Sequence, residues 1–139
     1  MAANLTLGII KPDAVAGGKT GAILAHLQQA GFTPRAARMV RLTRAEAGAF
    51  YAVHRERAFY RDLVEFMTSG PCMPMALERR DAVMHLRTVI GATDPAEAAP
   101  GTVRKLFAES KGKNAIHASD SDENAARETR FFFAEADVL

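Results

Sequence analysis

A histidine near the C-terminal end of the chain, His117, lies in a segment whose composition suits covalent chemistry. Residues 114–121 read Asn-Ala-Ile-His-Ala-Ser-Asp-Ser, so small side chains flank the imidazole. Ala115 and Ala118 leave one side of the ring unshielded, and a bulky substrate can therefore approach a ring nitrogen. Neutral imidazole is nucleophilic near pH 7 because its ordinary pKa is about 6.5. The segment predicts that His117 is a nucleophile, although a lone histidine without such surroundings is more often structural.

The residues that follow His117 predict a helix and an anion site. Ser119 or Asp120 is expected to cap a helix running through residues 124–126, with Asp122 or Glu123 completing a capping box. The N-terminal end of that helix would point toward the histidine. A helix N-terminus carries roughly half a positive charge and free N–H donors, which makes it a phosphate-binding site. The expected ligand is an anion.

Charge is arranged locally around the histidine rather than over the whole chain. Residues 104–113 carry four basic side chains against one acidic one, and residues 120–128 carry four acidic side chains against one basic one. The alternative interpretation of each segment is a solvated face. The formal net charge of +2 is too small to favour nucleic acid or an anionic membrane as the main partner.

Bulk composition predicts a single ordinary domain over residues 1–139. The chain is 48% hydrophobic and 24% charged, which is enough apolar material for one core. Its one cysteine, Cys72, cannot form an intramolecular disulfide, so a reducing compartment is expected. No apolar run approaches the ~18 residues needed to span a bilayer. A cytoplasmic location is therefore expected.

Hydrophobic periodicity predicts alternating strands and helices. Strands are predicted at residues 5–10, 32–42, 72–77 and 131–133, and helices at residues 20–30, from 43 through 54, 60–69 and 81–90. Pro34 restricts the second strand to an edge or a bulge. Thr43 and Glu46 form a capping-box pattern, and the helix they open is expected to carry Phe50, Tyr51 and His54. The order contains a split β-α-β framework with additional helices.

Three other patterns carry little weight. Gly18-Lys19-Thr20 resembles the end of a phosphate-binding P-loop, but the glycine required five residues earlier is Asp13. The four histidines lie about thirty residues apart, which is not metal-ligand spacing, and no protein zinc site is expected. The aromatic run at residues 131–133 lacks the basic signature of RNA-recognition domains, so a buried strand is the simpler interpretation.

Five separated motifs resemble the nucleoside diphosphate kinase family, and together they extend over almost the whole chain. They are residues 8–13, 69–71, 91–95, 100–104 and 114–121. The last differs from the family pattern at Ala118, where relatives have glycine; either the backbone there is ordinary or the loop is strained. The resemblance implies an α+β domain, an α/β sandwich of ferredoxin-like fold. Its four-stranded antiparallel sheet would have helices packed on one side.

The resemblance also implies the reaction. His117 would accept the γ-phosphoryl group of a nucleoside triphosphate on Nδ1 and pass it to a nucleoside diphosphate, in a ping-pong cycle. Mg2+ would arrive on the nucleotide phosphates, with no direct protein ligand and with Asp120 at most contacting it through water. The family forms homotetramers or homohexamers, and residues 94–102 resemble a segment that makes subunit contacts. Which assembly forms is left open.

The remaining site residues are implied by the same resemblance. Phosphoryl transfer needs converging cations, because charge spreads over the oxygens of the moving group. Catalytic roles fall on His117, Glu128, Ser119, Lys11 and Tyr51, with Glu128 and Ser119 orienting the imidazole. Nucleotide contacts fall on Lys11, Phe59, Arg87, Thr93, Arg104, Asn114 and His54.

Individual nucleotide contacts have distinct physical reasons. Phe59 would stack on the base, which gives affinity without reading base identity. Asn114 would hydrogen-bond the sugar hydroxyls, and Lys11 would contact the 3′-hydroxyl and the terminal phosphate. For Tyr51 and His54, a purely structural role is an equally open alternative. Lys111 stands where relatives often carry an aliphatic residue against the base, so that wall is expected to be a lysine stem.

Two other functions stay open from the sequence. One is a nucleotide- or nucleic-acid-binding module of the same fold without transferase activity, for which the support is Ala118 and Lys111. The other is an interaction protein in which the histidine loop is a surface turn.

Overall fold

A four-stranded antiparallel sheet organises the protein. The structure is a computed structural model that describes residues 4–139. The strands are β1 (Leu5–Ile10), β2 (Thr33–Ala37), β3 (Met73–Glu78) and β4 (Ile116–Ala118). Their spatial order is β2-β3-β1-β4, and every neighbouring pair is antiparallel. This confirms the predicted α+β, ferredoxin-like class.

Within the described residues, six helices lie between the strands and a seventh follows the last strand. They are α1 (Pro12–Ala16), α2 (Thr20–Gln29), α3 (Arg44–Phe50), α4 (Tyr60–Met67), α5 (Ala82–Ile90), α6 (Val103–Phe107) and α7 (Asp122–Phe132), with short 3-10 helices at Ala52–His54 and Glu135–Asp137. Among the helices of residues 4–139, none is long and apolar enough to cross a membrane.

Helices cover both faces of the sheet, so the expectation of helices on one side is wrong. Alternate residues of β1 separate the two cores: Ile10 packs in one, and Leu7 and Ile9 pack in the other. The first core takes its remaining helical side chains mainly from α2 and α5, and the second from α3, α4 and α7. Successive residues of a strand point to opposite faces of the sheet. Because consecutive residues of β1 are apolar, both faces of the sheet are apolar and both are packed against helices.

The second strand is shorter than its predicted span of residues 32–42. It lies at the sheet edge, and its register with β3 shifts between Pro34 and Ala36, as expected for a strand that contains proline. Beyond Ala37 the contact with the neighbouring chain segment continues through the Arg38 amide, which donates to the Pro74 carbonyl, and through the isolated pairing of Val40 with Cys72. The edge and bulge prediction is confirmed.

Helix α3 begins as predicted and ends earlier than predicted. The Thr43 hydroxyl accepts from the Glu46 amide, and the Glu46 carboxylate accepts from the Thr43 amide, which completes the capping box. The helix ends at Phe50. Tyr51 caps it and His54 belongs to the following 3-10 helix, so the prediction that both lie on the helix is wrong.

The C-terminal aromatic run is not a strand, and this is the largest error in the sequence prediction. Phe131 and Phe132 belong to α7, and the fourth strand is Ile116–Ala118, which contains His117. The buried positions of α7, namely Ala125, Glu128, Thr129 and Phe132, recur at helical spacing. That spacing overrides the strand preference of consecutive phenylalanines.

The cap of α7 also differs from the prediction. Ser121 is the N-cap, and its hydroxyl accepts from the Asn124 amide. Ser119 and Asp120 do not cap the helix, and no capping box with Asp122 or Glu123 forms. Ser119 is unavailable because its hydroxyl lies in the interior and donates to Glu128.

Candidate active site

The site residues expected from the resemblance meet in one cleft of about 430 Å³. Eleven of them line it: Lys11, Tyr51, His54, Phe59, Arg87, Thr93, Arg104, Asn114, His117, Asp120 and Glu128. Ser119 is buried behind the wall and reaches the site through Glu128. Lys111 is exposed and is not among the residues that line the cleft, and its expected contact with the base stays a prediction.

Strand β4 places the histidine. His117 pairs with Ile9 of β1, while its neighbours Ile116 and Ala118 enter the core of the opposite face. The imidazole therefore faces the second core, where the rings of Phe50 and Tyr51 meet it edge-on at centroid distances of 5.4 Å and 5.9 Å. These rings fix the imidazole plane, and about 18% of the side chain stays exposed to the cleft.

A buried carboxylate on α7 fixes the histidine tautomer. His117 Nε2 lies 2.7 Å from Glu128 Oε1, and the Ser119 hydroxyl donates to the same oxygen at 2.8 Å. An ionised carboxylate only accepts hydrogen bonds, so Nε2 carries the proton and Nδ1 keeps its lone pair. Within the described residues no hydrogen bond engages Nδ1. The arrangement leaves Nδ1 as the nucleophilic nitrogen.

Burial keeps the imidazole neutral. It lowers the pKa of His117 below its ordinary value, and the hydrogen bond and negative charge of Glu128 oppose this only in part. Lys11 and Arg104 lower the pKa further, because their positive charges disfavour an imidazolium. A neutral imidazole near pH 7 is the form that attacks phosphorus.

Lys11 and Asn114 line one part of the cleft, where Lys11 supplies the positive charge. The Lys11 ammonium donates to Asn114 Oδ1 at 2.9 Å, and Asn114 Nδ2 donates weakly to the Thr93 carbonyl at 3.4 Å. Burial, and secondarily the charge of Arg104, lower the pKa of Lys11 to about 8, while Asp13 opposes the shift. A desolvated cation gains most when an anion enters the cleft.

Arg104 is held by backbone carbonyls. Its guanidinium donates to the carbonyls of Ile116 at 2.7 Å, Gly91 at 3.0 Å and Asn114 at 3.3 Å. Burial, followed by the charge of Arg87, lowers its pKa to about 10. Arg104 therefore stays charged near neutral pH while it fixes the loop that carries Asn114.

The mouth of the cleft is aromatic and more exposed. Phe59 is 49% exposed, and its ring lies 5.4 Å from that of His54. The Tyr51 ring is buried, and burial raises the pKa of its phenol, whose oxygen has no partner within residues 4–139. The Asp120 carboxylate accepts from Asn124 Nδ2, and this hydrogen bond lowers its pKa. The exposed aromatic face at the mouth suits stacking of a planar ring.

Sequence reasoning missed three residues that build this site. Phe50 packs on the imidazole, and Arg127 donates to the Phe50 carbonyl at 3.1 Å and lies 3.7 Å from Glu128 Oε2. Asp13 accepts from the Ala115 amide at 3.1 Å. The helical period that places Glu128 inward also puts Arg127 beside it, but no local pattern connects Phe50 or Asp13 with the histidine.

The alanine that replaces the family glycine has an ordinary backbone. Ala118 lies within β4 opposite Gly8, and it is not among the positive-φ residues of the described chain. The strained position is Ala115, whose φ is 74°. Of the two possibilities left open at Ala118, the ordinary backbone is therefore correct.

The fold and cleft together define a class: an α+β domain that presents a neutral, carboxylate-anchored histidine to a cleft lined by cationic side chains. Comparison with known proteins agrees. The sequence profile of the nucleoside diphosphate kinase family matches residues 4–138. The chain belongs to the nucleoside diphosphate kinase family, whose members are phosphotransferases.

Individual relatives match over nearly their full length. The chain is 60% identical to a nucleoside diphosphate kinase of Chlorobaculum parvum over 134 residues, which is 96% of each protein. It is 55% identical to that of Sorangium cellulosum over 138 residues, covering 99% of this chain and 96% of the relative.

Two solved structures of nucleoside diphosphate kinases have the same fold as this chain. The Aquifex aeolicus nucleoside diphosphate kinase superposes with a TM-score of 0.96 at 48% identity, covering 98% of this chain and 99% of that one. The apo enzyme of Encephalitozoon cuniculi gives a TM-score of 0.93 at 33% identity, with 99% and 92% covered.

Proposed function

We propose that this protein transfers the γ-phosphoryl group of a nucleoside triphosphate, typically ATP, to a nucleoside diphosphate through a phosphohistidine at His117. The observation that carries the proposal is the division of labour between the ring nitrogens. Nε2 is bound to Glu128 at 2.7 Å, and Nδ1 has no partner within the described residues while its ring lines the cleft. Membership of the family supports the same reaction.

The bonds exchange in two balanced steps. The Nδ1 lone pair forms a bond to the γ-phosphorus as the bond to the β–γ bridging oxygen breaks, and the diphosphate leaves with that electron pair. A terminal oxygen of the acceptor diphosphate then attacks the same phosphorus, and the N–P electrons return to the imidazole. The Nε2 proton stays on the ring throughout. Glu128 offsets the positive charge that develops there.

Positive groups would stabilise the transferring phosphoryl group. In a loose transition state negative charge spreads over its oxygens, so catalysis depends on fixed cations and positioning. Lys11 and Arg104 are buried and anchored, and Arg87 is exposed on the same cleft. Buried charges in fixed positions need little rearrangement during the reaction, which favours direct roles for Lys11 and Arg104 in holding the phosphates.

Base and sugar would be held at the mouth. The exposed face of Phe59 supports stacking on any base, which accounts for a broad nucleotide range. Asn114 and Lys11 already share a hydrogen bond, and both have capacity left for sugar hydroxyls. The ring of His54 lies between those of Tyr51 and Phe59. Thr93 also lines the cleft and would supply a hydroxyl to a phosphate.

Mg2+ would be held by the nucleotide rather than by a protein cage. Within residues 4–139 no cluster of three or more acidic, histidine or cysteine side chains forms a metal site. Two carboxylates line the cleft, and that of Glu128 is engaged by His117. The Asp120 carboxylate therefore fits contact with a metal-bound water, since Mg2+ keeps several waters when phosphates bind it. When bound, Mg2+ neutralises charge on the phosphates.

The protein is also expected to form a homotetramer or homohexamer in a reducing, cytoplasmic setting. The resemblance of residues 94–102 to a subunit-contact segment supports assembly, and the single buried Cys72 supports the compartment. Sedimentation equilibrium measures the assembly directly. A monomer at micromolar concentration would contradict it.

Labelling tests the proposal. Incubation with γ-labelled ATP and Mg2+ should give label that is acid-labile and base-stable, as for phosphohistidine. His117→Ala should lose both label and transfer, whereas His26→Ala on helix α2, outside the cleft, should keep them. Transfer retained by His117→Ala would contradict the mechanism. Tight binding of nucleotides without any label on the wild type would instead favour the binding module.

A further inference from the structure

The backbone two residues before the histidine is strained. Ala115 has φ 74°, and the Ile116 amide donates to the Asn114 carbonyl at 2.9 Å, a hydrogen bond that spans only the residue between them. A positive φ near this value with an i to i+2 hydrogen bond describes a γ-turn of the rare, strained kind. Such a conformation persists in a residue with a Cβ only when its surroundings hold it.

The start of helix α1 holds this turn from both sides. Asp13 Oδ2 accepts from the Ala115 amide at 3.1 Å, and the Lys11 amide donates to the Ala115 carbonyl at 2.9 Å. The N–H and the C=O of Ala115 are therefore both hydrogen-bonded to the segment at residues 11–13. Ala115 itself is fully buried, so water cannot substitute for either partner.

The turn sets the positions of groups that line the cleft. The side chain of Asn114, which precedes Ala115, accepts from the Lys11 ammonium at 2.9 Å. The Asn114 and Ile116 carbonyls on either side of Ala115 accept from Arg104. His117 follows one residue later. A change of the Ala115 backbone would therefore move Asn114 and His117 relative to the cationic side chains of Lys11 and Arg104.

Asp13 is an unusual choice if stability were its only role. One of its carboxylate oxygens, Oδ1, is buried without a hydrogen-bond partner in the described chain, and burial raises the pKa of this carboxyl. An unpartnered buried acceptor costs stability. The cost makes sense where the other oxygen fixes a functional geometry.

We propose that Asp13 is a positioning residue: its carboxylate holds Ala115 in the γ-turn and thereby aligns Asn114, Lys11 and His117 for phosphoryl transfer. This rests on the proposed function at His117. Asp13 need not touch the nucleotide. Its effect passes through the backbone of Ala115, so it depends on the energetic cost of a positive φ at an alanine.

That dependence gives a rescue experiment. Asp13→Ala removes the acceptor and should slow single-turnover phosphohistidine formation by about tenfold to a hundredfold, the range expected for a small misplacement of reacting groups. Adding Ala115→Gly should restore much of the rate, because glycine adopts positive φ without the Cβ penalty. Ala108→Gly is the matched control: it deletes the same methyl group at a residue with φ −83° and should not rescue. Asp13→Asn keeps an oxygen acceptor and should retain more activity than Asp13→Ala.

Rates are compared at a temperature where thermal scans show each variant folded. A lowered Tm with an unchanged phosphorylation rate in Asp13→Ala would overturn the proposal, since Asp13 would then be only structural. Equal rescue by both glycines would overturn it as well. If Asp13→Ala does not fold, adding Ala115→Gly should restore both folding and turnover. A double variant that recovers neither would refute the positioning role of Asp13. Failure of the wild type to form phosphohistidine would instead overturn the proposed function, which separates the two ideas.

Discussion

Glu128 gives the sharpest test of how the site works. Its Oε1 atom accepts from His117 Nε2 at 2.7 Å and from the Ser119 hydroxyl at 2.8 Å, and the side chain is buried. Transfer of a phosphoryl group to Nδ1 leaves positive charge on the ring. The carboxylate should therefore stabilise the transition state more than the ground state, and its removal should lower kcat as well as kcat/KM.

The size of the effect follows from the hydrogen bond. A bond to a charged group contributes about 1.5–3 kcal/mol and a neutral one about 0.5–1.5 kcal/mol. Glu128→Gln keeps an acceptor but loses the charge, a difference of about 1 kcal/mol or slightly more, which is about a fivefold to tenfold loss of rate. Glu128→Ala loses the whole bond and should cost about tenfold to a hundredfold.

The assay is single-turnover phosphorylation of the enzyme by ATP, followed by steady-state transfer to a diphosphate acceptor. Glu123→Gln, an exposed position on the same helix, is the matched control and should behave as wild type. Folded Glu128→Ala with unchanged kcat would refute the role of the carboxylate. An equal loss in Glu123→Gln would show that the helix charge, and not the bond to His117, is responsible.

Three further predictions follow from the same geometry. Burial lowers the pKa of Lys11 to about 8, so its ammonium is present below that pH and lost above it. The ratio kcat/KM should therefore fall as the pH rises through about 8, and Lys11→Arg should move this fall to higher pH. A fall at unchanged pH in Lys11→Arg would show that another group causes it. Burial also lowers the pKa of His117 in the folded protein. As the pH falls below 6.5, this histidine is therefore protonated in the unfolded chain before it is protonated in the folded one, and the folded protein loses stability. Thermal scans should therefore show a larger loss of Tm between about pH 7 and about pH 5 for wild type than for His117→Gln, and equal losses would contradict neutral burial. Phe59→Ala should raise the Kd for adenine, guanine and pyrimidine nucleoside diphosphates by similar factors of about fivefold to a hundredfold, because stacking contributes ~1–3 kcal/mol for any base. Titration calorimetry measures these Kd values. A loss of affinity confined to one base would refute stacking as the only contribution of Phe59.

Local rules predicted the elements where the chain's own neighbours decide them. The Thr43–Glu46 capping box and the stop of α2 before Gly31, whose φ is 94°, depend on residues a few positions apart. The placement of β2 at an edge with a bulge follows from the missing amide hydrogen of Pro34. Such features are readable because their partners lie within one turn or one strand.

The errors fall where distant contacts outweigh local preference. Three residues around His117 form a strand only because β1 supplies its hydrogen-bonding partner, and so short a segment carries no periodicity of its own. Strand propensity predicts a strand for the aromatic run, yet α7 continues through Phe132 because its buried positions pack on the sheet.

The sequence by itself determined the histidine, its small neighbours, the flanking charge and, through resemblance, the residues expected to serve it. The resemblance implied Nδ1 as the reacting nitrogen, but only the tertiary structure gives the physical reason, since Glu128 reaches Nε2 from another element. The tertiary structure also decided between the two possibilities left open at Ala118, whose backbone is ordinary, and linked a positive φ at Ala115 to Asp13, 102 residues earlier. A contact between residues so far apart leaves no trace in spacing, because its geometry is set by how the sheet aligns β1 with β4.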